Sequence, residues 1–252
     1  MIDLALAENL ATVCLSRPPV NAIDADFVAA LHDALDRAEA ARPTVLVIRS
    51  DQRCFSAGAD LAEIAGYFDS AEGVGEMERY VRALHRLFDR LEAFPAVTLA
   101  ALDGPALGGG LELALACDLR IASTRAKLGL PEARVGMIPG AGGTQRLTRL
   151  CGPGVSARLI LGGEIVEGAE AARLGLVQWS CAPEALAGEV EAVAARVAGL
   201  SRQALLLSKR CIAAWSDPAL DGFACELEAP ARLLPTAEAR QRVLGFFQRK
   251  KA

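Results

Sequence analysis

Glu112 is the residue that most needs a reason. It is the only charged residue between Asp103 and Asp118, set in Gly108-Gly109-Gly110-Leu111-Glu112-Leu113-Ala114-Leu115-Ala116-Cys117-Asp118. A carboxylate in so apolar a stretch is costly unless something holds it. The glycine triplet ahead of it offers unpaired backbone N–H groups at the positive end of a helix. Such a junction can hold an anion, or an oxygen that is becoming one. Two other loops stand out with it. One is Phe55-Ser56-Ala57-Gly58-Ala59-Asp60. The other is Leu130-Pro131-Glu132, followed by Gly136-Met137-Ile138-Pro139-Gly140-Ala141-Gly142-Gly143-Thr144-Gln145-Arg146-Leu147. On residue type alone, Glu112 also fits a plain helix-start carboxylate favoured by the dipole, and Glu132 a solvated loop acid.

Other chemistries are disfavoured. No Gly-x-x-x-x-Gly-Lys-Ser/Thr occurs, and Gly140-x-Gly142-x-x leads to Gln145 rather than glycine, so phosphate or dinucleotide cradles are not expected. No Gly-x-Ser-x-Gly elbow is present. The two histidines, His32 and His85, both lie inside helical patterns, which argues against a His-dependent nucleophile or a metal cage. The seven cysteines (14, 54, 117, 151, 181, 211, 225) are scattered without Cys-x-x-Cys spacing, so neither a disulfide framework nor zinc is expected. Any catalysis must come from carboxylates and backbone N–H groups.

The elements that would position these groups are legible in outline. Leu10–Ser16, 44–49 and 96–102 read as strands, the last two as continuous apolar runs of the kind buried in α/β sheets. The loops at 55–60 and 108–112 directly follow two of them, where parallel sheets place their sites. Apolar spacing predicts helices from Asp24 or Asp26 to Ala41 and over 76–94. Residues 61–75 read as a polar, mobile loop, and 127–143 as loop. Leu119–Ala122 and 176–179 read as strands, with two short helices between Gly152 and Gly175. No strand is expected after 179, where helices at 183–200, 202–215 and 220–250 follow. This divides the chain into an α/β core, 1–195, and a helical region, 196–252.

With 252 residues, 52% of them hydrophobic, the chain can bury a core without staples. A net charge of −4 and no basic cluster before Arg249-Lys250-Lys251 make nucleic acid an unexpected partner. The apolar region 93–117 is broken by Pro95, Asp103, Pro105 and Glu112, so no membrane span is expected. No signal peptide is read at Met1-Ile2-Asp3-Leu4, and the thiol-rich composition fits a reducing, cytoplasmic setting.

FSAGADL at 55–61, ALGGGLELALACD at 106–118 and LPEARVGMIPGAGGTQRL at 130–147, with RPPVNAID at 17–24, closely resemble the crotonase (enoyl-CoA hydratase/isomerase) superfamily, and within it the enoyl-CoA hydratases. The resemblance spans the chain and implies a ββα spiral core with a C-terminal helical trimerisation region. It implies an acyl-CoA thioester substrate, chemistry of the fatty-acid β-oxidation kind and no cofactor beyond the CoA of the substrate. It also implies a homotrimer or a dimer of trimers.

Carried over residue by residue, it makes the N–H groups of Ala59 and Gly109 an oxyanion hole. Glu112 and Glu132 become an acid/base pair, with Glu112 the base and Glu132 the acid, and the Gly140 N–H orients their water. Ala57, Asp60, Leu61, Gly108 and Pro131 fall at substrate-contacting positions, and Arg53 at one that often carries a basic residue near the nucleotide of CoA. Basic residues that some relatives carry at the positions of Pro19 and Ala62 are missing; Lys250 and Lys251 are the alternative charges. Asp118 is read as a structural hydrogen-bonding residue. Leu61, Ile64, Tyr67, Phe68 and Met77 are the expected acyl-pocket wall. The family also holds isomerases, which commonly keep only the carboxylate at Glu132, as well as hydrolases; a non-catalytic or RNA-binding protein on this fold is the alternative from another class.

Overall fold

A computed structural model describes residues 1–69 and 71–249. Its centre is a six-stranded sheet built from β1 (Ile2–Leu6), β2 (Leu10–Leu15), β3 (Val45–Ser50), β4 (Val97–Leu102), β6 (Leu119–Ser123) and β9 (Trp179–Cys181), in that spatial order. β1 is antiparallel to β2; the remaining neighbours are parallel. A small second sheet joins β5 (Ala106–Leu107), β7 (Lys127–Gly129) and β8 (Val166–Glu167).

Successive side chains of a strand face opposite ways, and both faces are covered here. Leu46, Ile48, Ala100 and Leu102 pack into a core with α1 (Ala25–Ala41), α3 (Gly73–Glu92) and α4 (Gly109–Leu115). Val45, Val47, Leu99 and Ile121 face Val190, Val193 and Val197 of α7 (Leu186–Ala198). The boundary read after residue 195 therefore falls inside a helix that is packed on the sheet.

Several local expectations are corrected. Residues 61–68 form helix α2 (Leu61–Phe68) rather than a mobile loop, because the Asp60 side chain caps its first turn through Ala62 N and Glu63 N. Residues 127–143 contain β7 and a 3₁₀ turn, Glu132–Val135, and are not all loop. Between 152 and 175 the chain completes α5 (Gly143–Ser156), makes a π turn, adds the two-residue strand β8 and enters α6 (Gly168–Arg173). The last strand, expected over 176–179, begins only at Trp179 and runs to Cys181, so 176–178 lie outside it. β1, absent from the sequence reading, pairs with β2 from Ala11 to Leu15.

The C-terminal region is helical as expected: α8 (Arg202–Ala213), α9 (Gly222–Leu233) and α10 (Ala237–Arg249). α8 docks onto the ends where β3 and β4 begin. Arg202 donates to the carbonyls of Pro43 (2.9 Å) and Pro95 (2.6 Å). Lys209 donates to those of Phe94 (3.0 Å) and Ala96 (3.2 Å). Lys209 also pairs with Asp118 at 2.8 Å, and the same Asp118 oxygen accepts from the Thr98 amide and hydroxyl. Among the described residues no helix is long and apolar enough to cross a membrane.

Candidate active site

The three loops singled out in the sequence line one cavity of about 320 Å³. Its wall includes Ala57, Ala59, Leu61, Gly108, Gly109, Glu112, Pro131, Glu132 and Gly140. The loop after β3 is held against the glycine triplet by its own backbone. Leu107 N donates to Ser56 O at 3.0 Å, and Ser56 N to Pro105 O at 3.2 Å. Gly58 sits at φ +95, and a Cβ on it would lie 2.7 Å from Leu107 O, so only glycine allows this approach. As a result Ala59 N lies beside Gly109: a Cβ on Gly109 would be 3.4 Å from it. Neither N–H has a hydrogen-bond acceptor among the described residues. The Gly109 N–H begins α4, whose dipole adds to its pull on negative charge.

Asn21, which the sequence reading passed over, secures this arrangement. It is fully buried with φ 50, and its amide donates to Ser50 Oγ (2.7 Å) and Phe55 O (3.0 Å). Its backbone carbonyl accepts from Ser56 Oγ at 2.7 Å. Its place in RPPVNAID is the signal that could have marked it.

Glu112 is 3% exposed. Its Oε1 accepts from the N–H groups of Ala141 (2.8 Å) and Gly143 (2.7 Å) at the start of α5, leaving Oε2 for the cavity. Burial raises its pKa to about 7, against the lowering effect of those two bonds and of Arg146; the nearby Glu132 charge adds to the rise. Glu132, on the 3₁₀ turn after β7, is also raised by burial. Both its oxygens are buried and make no hydrogen bond of ordinary geometry with a described residue; only its own backbone N–H opposes the shift. One oxygen lies beside Gly108, 3.1 Å from where a Cβ there would sit. Two carboxyl groups poised upward, beside two unpaired N–H donors, can exchange protons with a substrate whose oxygen turns anionic.

The outer contacts divide. Asp60 does not line the cavity; besides capping α2 it approaches Arg17 at 3.7 Å. Arg53 is exposed and lies away from the cavity wall. Lys250 and Lys251 lie outside the described residues. Of the expected acyl wall, Leu61, Ile64 and Met77 line the cavity with Tyr80, Val81 and Leu84. Tyr67 and Phe68 line an adjoining apolar chamber of about 260 Å³ that shares Ile64, Met77 and Met137. Tyr80 donates its hydroxyl to Ile23 O at 2.7 Å, so it presents an apolar ring to the cavity. Among the described residues no group of acidic, histidine or cysteine side chains could hold a metal ion.

Sheet and paired loops define a crotonase-fold protein. The family described as enoyl-CoA hydratase/isomerase matches residues 6–252, and the chain belongs to it. A probable enoyl-CoA hydratase of Bacillus subtilis is 41% identical over 206 residues, covering 81% of this chain and 78% of that protein. A crotonyl-CoA hydratase of Syntrophomonas wolfei is 33% identical over 255 residues, covering 100% and 96%. The crystal structure of an enoyl-CoA hydratase from Bacillus anthracis superposes with a TM-score of 0.90 at 31% identity, over 98% of this chain and 96% of that one.

Proposed function

We propose that this protein is an enoyl-CoA hydratase, adding water reversibly and syn across the 2,3-double bond of a trans-2-enoyl-CoA to give a 3-hydroxyacyl-CoA. The observation that carries this reading is the presence of two glutamates in one cavity with two unpaired N–H donors. The thioester oxygen sits between Ala59 N–H and Gly109 N–H. Glu112, whose Oε1 is fixed by two backbone donors, takes a proton from a water oriented by the Gly140 N–H, and the water oxygen bonds to C3. The electron pair of the double bond moves to the thioester oxygen, forming an enolate. Glu132 gives its proton to C2 as the enolate collapses. Glu132 suits the donor role because its oxygens lack the hydrogen bonds that would favour the ionised form. The two titrate as a coupled pair. Each oxyanion donor is worth roughly 3–4 kcal/mol of barrier.

The test is loss of the conjugated-thioester absorbance of crotonyl-CoA on mixing with the protein. Glu112→Gln and Glu132→Gln should each lower kcat by about 10²–10⁴-fold. An isomerase or hydrolase would tolerate Glu112→Gln far better, and a binding protein would leave every enoyl-CoA untouched. No cofactor enters the scheme. The seven free thiols support a reducing, cytoplasmic setting. The apolar side chains left bare on α8–α10 support assembly into a homotrimer or a dimer of trimers.

A further inference from the structure

Arg146 is a charge that the scheme above does not use. It is 8% exposed, and it does not line the catalytic cavity. Its Nη1 donates to Ala141 O at 3.0 Å, its Nη2 to Asp89 at 2.6 Å and its Nε to Glu92 at 2.8 Å. Its own N–H donates to Gly142 O at 2.9 Å. The loop wraps the guanidinium closely: Gly142 has φ +97, and a Cβ there would lie 2.3 Å from Nη1. The carbonyl of Ala141 belongs to the peptide unit between the two that grip Glu112, those carrying the N–H groups of Ala141 and Gly143. Turning that middle plane would swing both donors.

We propose that Arg146 is the positioning residue for Glu112, holding the 141–143 loop in register through Ala141 O while Asp89 and Glu92 of α3 tether the guanidinium. This rests on Glu112 being the base of the proposed hydratase. The charged groups that face Glu112 are Glu132, from the turn after β7, and Arg146, from α5. On α3, Asp89 and Glu92 face Arg146 itself. At the far end of α4, Arg120 bonds the carbonyls of Ala114 and Cys117, and Asp118 pairs with Lys209. Arg146 is thus both a brace and a cation whose charge acts on the carboxylate. Its charge is partly neutralised by two acids on the solvent side.

That arrangement separates positioning from plain structural support, because two kinds of variant should move Glu112 in opposite directions. In Arg146→Gln a cation is lost, and Glu112 should titrate higher. In Asp89→Asn/Glu92→Gln the cation is unmasked, and Glu112 should titrate lower. The titration is read by carbon-13 NMR of the glutamate side-chain carboxyl carbons, the Glu112 signal being the one that disappears in Glu112→Gln. With crotonyl-CoA, Arg146→Gln should lower kcat by about tenfold or more and leave KM within about twofold, with the acid limb of kcat/KM displaced to higher pH. Shifts in the same direction in both variants, or no shift in either, overturn the proposal. If Arg146→Gln does not fold, the double variant at the exposed Asp89 and Glu92, which loosens the tether, decides by a lower kcat at unchanged KM, and an unchanged kcat overturns the proposal. A wild-type chain that hydrates no enoyl-CoA overturns the functional reading alone, because the titration still reports on Arg146.

Discussion

Glu112 sets activity against stability at a single residue. Its carboxyl is held near pKa 7 in the fold, against 4.5 as the ordinary value. A group raised in this way binds more protons folded than unfolded, so its contribution to stability falls as pH rises from about 4.5 to 7 and stays low above that. Glu112→Gln keeps an oxygen to accept from Ala141 and Gly143 and removes the buried charge. It should therefore stabilise the protein by at most about 3 kcal/mol at pH 8, with the gain vanishing near pH 4. Denaturant midpoints at the two pH values measure this; a variant less stable at both would show that the carboxylate is not held at a cost. Glu112 was legible in the sequence as a charge needing a reason. Its two donors were not, because they lie twenty-nine and thirty-one residues further on and only the fold brings them back.

At the scale of elements, the glycine at the start of α5 is a spacing device. A Cβ on Gly143 would lie 2.8 Å from Glu112 Oε1 and 2.9 Å from its Cγ. Gly143→Ala should displace the carboxylate and lower kcat by roughly 10²-fold while the fold survives, as steady-state kinetics beside a circular-dichroism melt would show. α8 is an element of another kind, fixed by charge to backbone. Lys209→Met removes the partner of two carbonyls before β4 and of the Asp118 carboxylate before β6, and should cost about 2–3 kcal/mol in denaturant unfolding, with KM unchanged. The strong helices and the buried runs at β3 and β4 were readable because their periodicity is long and regular. α2 was not, because Gly66 and Gly73 read as breakers, whereas a capping carboxylate at Asp60 decides the matter locally.

On the scale of the whole molecule, the C-terminal helices and the turn after α8 expose what a lone chain would bury. Trp215 is 91%, Phe223 81% and Leu227 82% exposed. Each such side chain contributes about 1.5–3 kcal/mol when covered. Light scattering should give the mass of three or six chains, and Trp215→Glu with Leu227→Glu should reduce it toward one; a monomeric wild type would rule the assembly out. The sequence by itself determined the chemistry available here. It has two histidines and no phosphate cradle, and its carboxylates and glycine loops can hold an oxyanion. Those properties are local, set by residue type and short spacing. Tertiary structure places Ala59 N–H beside Gly109 and Glu112 with Glu132 in one cavity, pairings that the motifs implied only through the family resemblance, and it alone brings the Arg146 guanidinium to Ala141 O. Such approaches depend on parallel strands and a carbonyl meeting a guanidinium from another turn, and residue type and short spacing do not by themselves carry that information.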